Sequence, residues 1–393
     1  MPLRVLFAIP ELDRAGPEAV FFRILSNLDR ERIEPHLAVT RPDGHYRGLL
    51  GDRVPVHLVG DPGDRYPFRA LARTVREVEP DVVLSTLRMS LTAGGVAWRF
   101  PGRTKLVVRQ ANHLSLSVDD SAAGRPLKRW AVSRFYRNSF KRADLVVCQS
   151  RSMAEDFVAA GIDRPWCVLP NPIDPDWLRS QAGPPRELPG SPRLLAVVRL
   201  FPQKGFDLLL RALPRVLEER PEARLTIVGE GPQRKELESL RDELSIADYV
   251  HFAGFQDDPF AWMVVCDLLV SASRYEGFAN TTLEAMALGI HVVGTDGPGA
   301  NNEMIVDGVN GRLVRPLDVV GLASAIVDVT GDLGAFDRAA IAADIAARFG
   351  VQSVADRYAA MLELIVDGQP VPQGARFSKP TSDDGYGLHR PPA

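Results

Sequence analysis

The sequence predicts an α/β protein made of two Rossmann-like domains that face each other across a cleft. In both halves of the chain, short apolar segments alternate with amphipathic ones, which is the pattern of a parallel sheet wound with helices. A stretch rich in proline and glycine, residues 174–192, interrupts this alternation. The length of 393 residues is sufficient for two domains of ordinary size. We therefore expect an N-terminal domain over residues 1–173, a linker over 174–192 and a C-terminal domain over 193–350.

The first half opens with a strand, a loop that contains glycine, and a helix. The loop E-L-D-R-A-G-P-E lacks the three glycines of a dinucleotide-binding turn, so the sequence does not predict an NAD site. Apolar runs predict strands at residues 4–10, 35–40, 54–59, 82–85, 105–109, 144–149 and 167–170. Amphipathic spacing predicts helices at residues 18–28 and 68–79.

The second half repeats this arrangement. Its predicted strands are residues 194–199, 224–228, 250–253, 267–272, 291–294 and 311–314. Its predicted helices include residues 206–219, 232–244 and 259–265, and further helices continue to about residue 366. The tail over residues 368–393 is rich in proline, glycine and polar residues, and we expect it to be disordered.

The most informative stretch is Y-E-G-F-A-N-T-T-L-E-A-M-A-L-G, residues 275–289. It begins as a loop after a strand and continues as a helix, for which Asn280, Thr281 and Thr282 are expected as capping residues and Gly289 as the stop. The N–H groups at the start of a helix favour a diphosphate. Glu276 and Glu284 flank this start and suit sugar hydroxyls. The stretch therefore predicts a nucleotide-sugar site, to which Gly277, Phe278 and Ala279 contribute as loop residues.

Two basic residues are expected at the same edge of the C-terminal sheet. Arg199 ends the first strand of this half, and Lys204 follows five positions later. A guanidinium fork and a mobile ammonium group both suit a departing diphosphate. The alternative, a solvated surface pair, is less favoured because both residues coincide with the Glu276 and Glu284 loop.

Other glycine-containing turns in this half carry weaker predictions. Gly229 and Glu230 follow a strand and open a helix, and Phe255 follows the next strand, so all three are candidates for contact with the nucleotide. The loop over residues 297–303 is a further candidate. Ordinary turns remain an equal alternative, because glycine is common between strands and helices.

In the N-terminal half, Arg109 and His113 leave the end of a strand on the cleft side. Arg109 is a candidate contact for phosphate or acceptor, and His113 for polarising a hydroxyl or binding the donor sugar. Gly16 is a candidate for close backbone approach to the donor. A structural histidine and a plain turn remain the alternatives.

Residues 125–142 contain seven basic residues and no acidic ones. At helical spacing Trp130, Arg134, Arg137 and Lys141 share one face. Such a face suits anionic lipid headgroups or a lipid diphosphate, and we interpret it as a membrane or acceptor patch. A solvated basic helix is the alternative.

Composition and charge limit the functions and the cellular locations that we expect for this protein. The net charge of −3 gives no sign of nucleic-acid binding. Three cysteines without metal-ligand spacing indicate a reducing compartment. We expect no signal peptide, because the first predicted strand begins close to residue 1, and we expect the most apolar run, residues 262–270, to be too short to cross a bilayer. We expect a cytoplasmic location, including the inner face of the plasma membrane.

No metal or other cofactor is predicted. Asp174-Pro-Asp176 has the form of the metal-binding D-x-D motif found in another class of sugar transferases. Its proline and its place in the predicted linker lead us to interpret this match as accidental.

Taken together, these motifs resemble the retaining glycosyltransferases of family four, with the GT-B architecture. The resemblance rests on the E-x7-E pair, on V-R-L-F-P-Q-K-G-F with Arg199 and Lys204, and on I-V-G-E-G-P, P-N-P-I-D and A-L-G-I-H-V-V-G-T-D. Two loops depart from the family pattern. The first reads R-A-G-P-E with one glycine missing, which weakens the role of Gly16, and the other reads G-P-G-A-N-N-E at residues 297–303.

The resemblance implies transfer of a hexose from a nucleotide-diphosphate donor, commonly UDP-linked, with retention of configuration and without a metal. It implies that Glu276 contacts the donor sugar, Glu284 the ribose, and Arg199 and Lys204 the diphosphate. The acceptor, a glycan or a lipid-linked sugar of bacterial surface polysaccharide, would bind the N-terminal half. The family's C-terminal helix often returns to the first domain, and residues 351–366 are the candidate here.

Two other classes of function remain open. One is a nucleotide-sugar epimerase or hydrolase on the same architecture, which would act on the donor without an acceptor. The other is a non-catalytic protein that binds a sugar nucleotide. The complete set of acidic and basic residues favours the transferase.

Overall fold

A computed structural model describes residues 1–61, 64–115, 126–299, 301–334 and 337–373. These residues form two compact units. The first contains Met1–Pro172 together with the C-terminal segment that begins at Phe349, and the second contains Ile173–Arg348. Each unit is built on its own parallel sheet, which confirms the predicted class of two Rossmann-like α/β domains. Most of the tail predicted to be disordered lies outside the described residues.

The first unit alternates strands and helices over most of its length. Its strands are β1 Leu3–Ala8, β2 Ile33–Val39, β3 Val56–Leu58, β4 Val82–Thr86, β5 Lys105–Arg109, β6 Leu145–Cys148 and β7 Trp166–Val168. Its helices up to this point are α1 Gly16–Asn27, α2 His45–Leu50, α3 Phe68–Val78, α4 Arg88–Val96, α5 Pro126–Phe140 and α6 Arg151–Ala159. Short 3-10 helices span Gly51–Arg53 and Ala97–Arg99.

The strand order of the first sheet is β3-β2-β1-β4-β5-β6-β7, and the paired strands are parallel. The order reverses between β1 and β4, where Val5 is in register with Val82. Fully buried side chains such as Leu6, Val83 and Val108 fill one side of this sheet. Because all strands run the same way, the loops after β2, β4 and β5 leave at one edge.

The second unit has the same design. Its strands are β8 Arg193–Val197, β9 Arg224–Val228, β10 Val250–Gly254, β11 Leu268–Ser271, β12 His291–Thr295 and β13 Arg312–Val314. Its helices are α7 Pro175–Gln181, α8 Phe206–Glu219, α9 Arg234–Glu243, α10 Phe260–Met263, α11 Asn280–Ala287, α12 Asn301–Met304, α13 Val319–Gly331 and α14 Arg338–Phe349. Short 3-10 helices span Pro202–Lys204 and Ala247–Tyr249.

The strand order of the second sheet is β10-β9-β8-β11-β12-β13, again parallel. Its reversal lies between β8 and β11, where Leu268 and Leu269 pair with Leu194 and Leu195. Reversals of this kind are where α/β sheets most often bind ligands. We therefore expect a ligand site at the loops after β8 and β11.

The last described helix, α15 Val351–Val366, belongs to the first unit and packs on α1. Arg32 joins it through two hydrogen bonds to Glu363, of 2.8 and 2.7 Å. Tyr358 is fully buried and accepts a hydrogen bond from Arg109. The C-terminal helix therefore completes the core of the N-terminal unit.

Some elements were not predicted. Helices α2 and α4 are short or lack a clear amphipathic stripe, so the helical pattern missed them. The segment predicted as a linker contains α7, whose N-cap is Asp174; its carboxylate accepts from the N–H groups of Asp176 and Trp177. The first aspartate of the D-x-D match thus caps a helix.

Two glycines permit close backbone approach near the reversal of the second sheet. Gly205 has φ of 64°, and a Cβ there would collide with the carbonyl oxygen of Ala272. Gly229 has φ of 143°, and a Cβ there would collide with the carbonyl oxygen of Val198. Only glycine fits at either position without displacing backbone.

Within the described ranges, no helix combines the length and the apolar character needed to cross a bilayer.

Candidate functional site

Two loops meet at the carboxyl edge of the second sheet because β8 and β11 are neighbours. The chain that leaves β8 passes Arg199 and reaches Lys204 at the end of the 3-10 helix Pro202–Lys204. The chain that leaves β11 reaches Glu276 four residues before α11 begins. The reversal of strand order therefore brings this lysine and this glutamate together.

Lys204 and Glu276 form a bidentate ion pair. Nζ of Lys204 lies 2.6 Å from Oε1 and 2.8 Å from Oε2 of Glu276. The two side chains are only 14 and 11% exposed, so water screens the pair far less than it would a surface pair. The structure thus brings together two of the residues that the sequence singled out, in a geometry that fixes both.

Further contacts hold the Glu276 carboxylate and backbone. The Ser273 hydroxyl donates to Oε1 at 2.6 Å, and the Glu276 N–H donates to the Pro298 carbonyl at 2.8 Å. A Cβ at Gly299 would lie 2.9 Å from the Glu276 Cβ, so glycine is needed beside the carboxylate. The hydrogen bond from the Ser273 hydroxyl to the charged Glu276 carboxylate is of a kind that is stronger than a hydrogen bond between neutral groups. Glu276 is therefore preorganised.

Helix α11 begins without a side-chain cap. The N-cap residue is Ala279, which has no side-chain acceptor. The prediction that Asn280, Thr281 and Thr282 cap this helix was wrong, because all three lie within its first turn and the Thr282 hydroxyl donates to the Asn301 side chain at 3.1 Å. The N–H of Asn280 donates to the Phe278 carbonyl at 2.9 Å, and no side chain caps the start of α11 in the described part of the chain. The positive end of this helix suits an anion.

The predicted stop of this helix at Gly289 is confirmed. Gly289 has φ of 76°, and its N–H donates to the Met286 carbonyl at 2.9 Å. The Ile290 N–H donates to the Ala285 carbonyl at 2.9 Å, which completes a Schellman motif. The C-terminal end of α11 is thus set by Gly289, which the sequence alone identifies.

The other predicted donor contacts of this stretch lie around the start of α11. Three are buried, namely Gly277, Phe278 and Ala279, and three are half-buried, namely Asn280, Thr281 and Glu284. Glu284 stands one helical turn beyond the first N–H groups. Their roles toward a nucleotide-sugar stay predictions.

Arg199, by contrast, lies apart from the ion pair. Its side chain is exposed, and its guanidinium carbon lies 5.3 Å from the ring centroid of Phe201. Its place at the end of β8 agrees with the sequence, and its role toward a diphosphate stays a prediction.

The three weaker candidates of the second unit follow β9 and β10. Gly229 donates its N–H to the Gly254 carbonyl at 2.8 Å. Glu230 pairs with Arg234 at 2.9 Å on an exposed surface, and Phe255 is 62% exposed. The exposed ring of Phe255 remains accessible for stacking, whereas the Glu230 carboxylate already has a partner.

His113 is buried within the first unit, with 3% exposure. Its Nε2 lies 3.5 Å from the Ser152 hydroxyl, and its Nδ1 lies 4.0 Å from an Asp156 carboxylate oxygen. Burial lowers the pKa of His113 below its ordinary value, against the opposing effect of Asp156. The imidazole is therefore held neutral near pH 7, and its proposed contact with the donor sugar stays a prediction.

Arg109 is almost fully buried at the end of β5. Its Nε donates to the Tyr358 hydroxyl at 3.2 Å, and Nη2 donates to the Asn171 side-chain oxygen. Nη1 is buried and has no hydrogen-bond partner among the residues that the structure describes. Gly16 is the first residue of α1 and precedes Pro17. The roles of Arg109 and Gly16 toward donor or acceptor stay predictions.

The predicted basic patch lies along α5 and just beyond its end. Trp130 is 62% exposed, and Arg134 places its guanidinium carbon 5.8 Å from the Trp130 ring centroid. Arg137 and Lys141 are also exposed. The patch is thus available at the surface of the first unit.

Sequence reasoning missed the residues that support Glu276. Ser273 lies in the loop just after β11 and precedes Glu276 by three positions, so the rule that sites lie at strand ends would have found it. Its backbone carbonyl accepts a hydrogen bond from the Thr295 hydroxyl, and Gln203 donates to the Tyr275 carbonyl at 2.9 Å. These two contacts join separate loops and leave no local pattern in the sequence.

Comparison with known proteins gives one family model for each unit. The model described as "Glycosyl transferases group 1" matches residues 191–332. The model described as "Glycosyltransferase Family 4" matches residues 14–177. The first match contains the Lys204 and Glu276 pair, and the second contains Arg109 and His113.

Curated relatives match over about half of this chain. LpsE of Rhizobium meliloti, a lipopolysaccharide core biosynthesis glycosyltransferase, is 30% identical over 201 residues, which are 49% of this chain and 56% of the relative. A 4-alpha-N-acetylgalactosaminyltransferase of Campylobacter jejuni is 30% identical over 222 residues, which are 56% of this chain and 59% of the relative. The full name of this enzyme includes a sugar linked to diphospho-undecaprenol. The chain thus spans between half and two thirds of the length of these relatives.

Solved structures match nearly the whole chain. HepE of Anabaena in complex with UDP has a TM-score of 0.73 at 22% identity and covers 92% of this chain and 100% of its own. A sucrose-phosphate synthase from Thermosynechococcus elongatus also has a TM-score of 0.73, at 16% identity, and covers 93% of this chain and 100% of its own. At these identities the likeness concerns the fold. The family models on both units, together with this fold, place the chain among the glycosyltransferases of the family 4 type with GT-B architecture.

Proposed function

We propose that this protein is a retaining glycosyltransferase that moves a hexose from a UDP-sugar to a glycan or lipid-linked acceptor. The observation that carries the proposal is the ion pair between Lys204 and Glu276, whose side chains are largely shielded from water. Glu276 lies four residues before α11, which starts without a side-chain cap. A cation and the positive end of a helix suit the diphosphate, and a fixed carboxylate suits the hydroxyls of the transferred sugar. We assign Arg199 to the diphosphate and Glu284 to the ribose.

In the proposed reaction, the bond between the anomeric carbon and the diphosphate oxygen breaks, and UDP leaves with the electron pair. A new bond forms between the same carbon and an acceptor hydroxyl oxygen, and the hydroxyl proton passes to the departing diphosphate. Lys204 and the N–H groups of α11 stabilise the negative charge that develops on UDP. The resemblance to family four favours retention of the anomeric configuration.

Uridine as the base and surface polysaccharide as the product are supported by the comparisons. HepE has been crystallised with UDP and with UDP-glucose. The names of LpsE and of the Campylobacter enzyme place both in the assembly of bacterial glycoconjugates. We propose the same donor class and a related acceptor class for this chain.

We also propose that the patch of Trp130, Arg134, Arg137 and Lys141 touches an anionic membrane surface. All four side chains are exposed, and an exposed Trp beside Arg is suited to the headgroup region. Such contact would bring the first unit to lipid-linked acceptors.

Glu276→Gln and Lys204→Ala should each reduce sugar transfer by about 10²–10³-fold, because each removes a preorganised charge that the transition state needs. The measurement is UDP release with a UDP-sugar and acceptor, with thermal unfolding as a check on folding. Glu243→Gln makes the same chemical change on an exposed residue of the second unit and should leave the rate unchanged. Equal rates for Glu276→Gln and Glu243→Gln would refute the assigned site.

UDP should raise the unfolding temperature of the full chain, because a ligand that binds only the folded state stabilises it. At 100 times its dissociation constant, the stabilisation is about 2.7 kcal/mol. The measurement is thermal unfolding with UDP, GDP, ADP and CDP at equal concentrations. A larger shift with GDP than with UDP would contradict uridine as the base.

Sugar transfer should continue at the same rate in the presence of excess EDTA, because Lys204 and the start of α11 take the part that a divalent cation plays in other transferases. The rate is compared before and after exhaustive chelation and again after addition of Mg²⁺ or Mn²⁺. Loss of transfer on chelation with recovery on metal addition would contradict metal independence.

Replacing Arg134, Arg137 and Lys141 together by Gln should weaken binding to phosphatidylglycerol vesicles by about 100-fold, since each cation near an anionic surface contributes about 1 kcal/mol. Vesicle sedimentation measures the effect. The control replaces Arg69, Arg73 and Arg76, three exposed cations of α3, by Gln. Equal loss in both triple variants would show general charge attraction and would contradict the patch.

A further inference from the structure

The first unit contains a pocket of about 580 Å³ at the carboxyl edge of its sheet. Four arginines line it, and each comes from a different loop or strand end: Arg41 after β2, Arg65 before α3, Arg88 after β4, and Arg109 at the end of β5. Among the described residues, no acidic side chain belongs to the lining. The pocket therefore concentrates positive charge at the place where parallel sheets bind ligands.

Three buried polar atoms of the lining have no hydrogen-bond partner in the described part of the chain. They are Nε of Arg88, Nη1 of Arg109 and Oγ of Ser90. The neighbouring nitrogens are occupied: Arg88 donates through Nη2 to the Thr40 hydroxyl at 3.0 Å, and Arg109 donates to Tyr358 and Asn171. A buried hydrogen-bond donor without an acceptor raises the free energy of the folded protein. A bound ligand that carries acceptor oxygens would remove this cost.

The charge of the pocket is only partly neutralised by the protein. Arg41 pairs with Glu11 at 3.1 Å, and its side chain is largely exposed. Among the described acidic residues, none forms a salt bridge with Arg65, Arg88 or Arg109. Tyr136, which also lines the pocket, stays protonated because burial raises its pKa. Anionic ligands with several oxygens therefore match the pocket best.

We propose that this pocket binds a phosphate or diphosphate group on the acceptor. Guanidinium forks and a hydroxyl that converge from separate loops suit a phosphoryl group, whose oxygens point in several directions, better than the two oxygens of a planar carboxylate. The inference rests on the proposed transferase function, because that function requires an acceptor in addition to the donor. It names the substrate class: an acceptor that carries a phosphoryl group, either a lipid diphosphate or a soluble sugar phosphate.

Isothermal titration calorimetry of the full chain, saturated with UDP, tests the inference with inorganic pyrophosphate as the probe. Prior saturation with UDP occupies the donor site, so the remaining heat reports a second site. Arg88→Gln should weaken pyrophosphate binding by about 10- to 100-fold, the range expected for a lost charged hydrogen bond. Arg65→Gln changes an exposed lining residue, keeps the fold intact and should also weaken binding.

The matched control is Arg103→Gln, an exposed arginine of the same unit that pairs with Glu79 at 3.2 Å and lies outside the pocket. Its pyrophosphate affinity should equal that of the unaltered protein. Normal UDP binding without a pyrophosphate site that depends on Arg88 and Arg65 would overturn this inference alone. Failure of UDP to bind at the start would instead contradict the proposed function.

Two further probes distinguish the sources of the phosphoryl group. One is soluble glucose 1-phosphate, and the other is a phosphatidylcholine vesicle that contains undecaprenyl diphosphate, compared with a plain phosphatidylcholine vesicle. Binding of either probe that Arg88→Gln reduces supports the inference and identifies the source. If Arg88→Gln and Arg103→Gln bind both probes equally well, the inference is overturned.

Discussion

The contact on which the candidate site depends is the ion pair between Lys204 and Glu276. It joins residues 72 positions apart, and only the pairing of β8 with β11 brings their loops together. Strand pairing brings the two loops close together. The Ser273 hydroxyl orients the Glu276 carboxylate, and the Pro298 carbonyl holds the Glu276 backbone N–H. Since the pair has no net charge, burying it costs less than burying either group alone. The protein can thus keep a cation ready beside α11 without a permanent uncompensated charge.

The two units handle buried positive charge differently. In the second unit, Lys204 has a protein carboxylate as its partner. In the first unit, Arg88 and Arg109 donate to Thr40, Tyr358 and Asn171, and each has one further nitrogen with no acceptor within the described ranges. Neutral partners fix the direction of a guanidinium but leave its charge intact. The Lys204–Glu276 pair of the second unit suits a ligand whose hydroxyls contact the carboxylate. The arginines of the first unit suit a ligand that is itself anionic.

Most of the fold and the centre of the site follow from local patterns in the sequence. Alternating apolar runs predicted the two parallel sheets, and the spacing of Glu276 and Lys204 from strand ends predicted their meeting. Capping preference failed at α11, because Thr282 instead binds Asn301 and Ala279 takes the N-cap position. The arginine pocket could not be predicted, since Arg41, Arg65 and Arg88 come from segments that share no pattern. These arginines lie close together only in the folded sheet, in which β2, β1, β4 and β5 are neighbours.

The contribution of α15 to the first unit has a consequence for the synthesis of this protein. The partner of Arg32 and the hydroxyl that accepts from the Arg109 Nε are both on residues translated after the entire second unit. A nascent chain that ends near Pro172 therefore lacks both of these partners. We expect the N-terminal unit to reach its final packing only after Tyr358 and Glu363 have been synthesised.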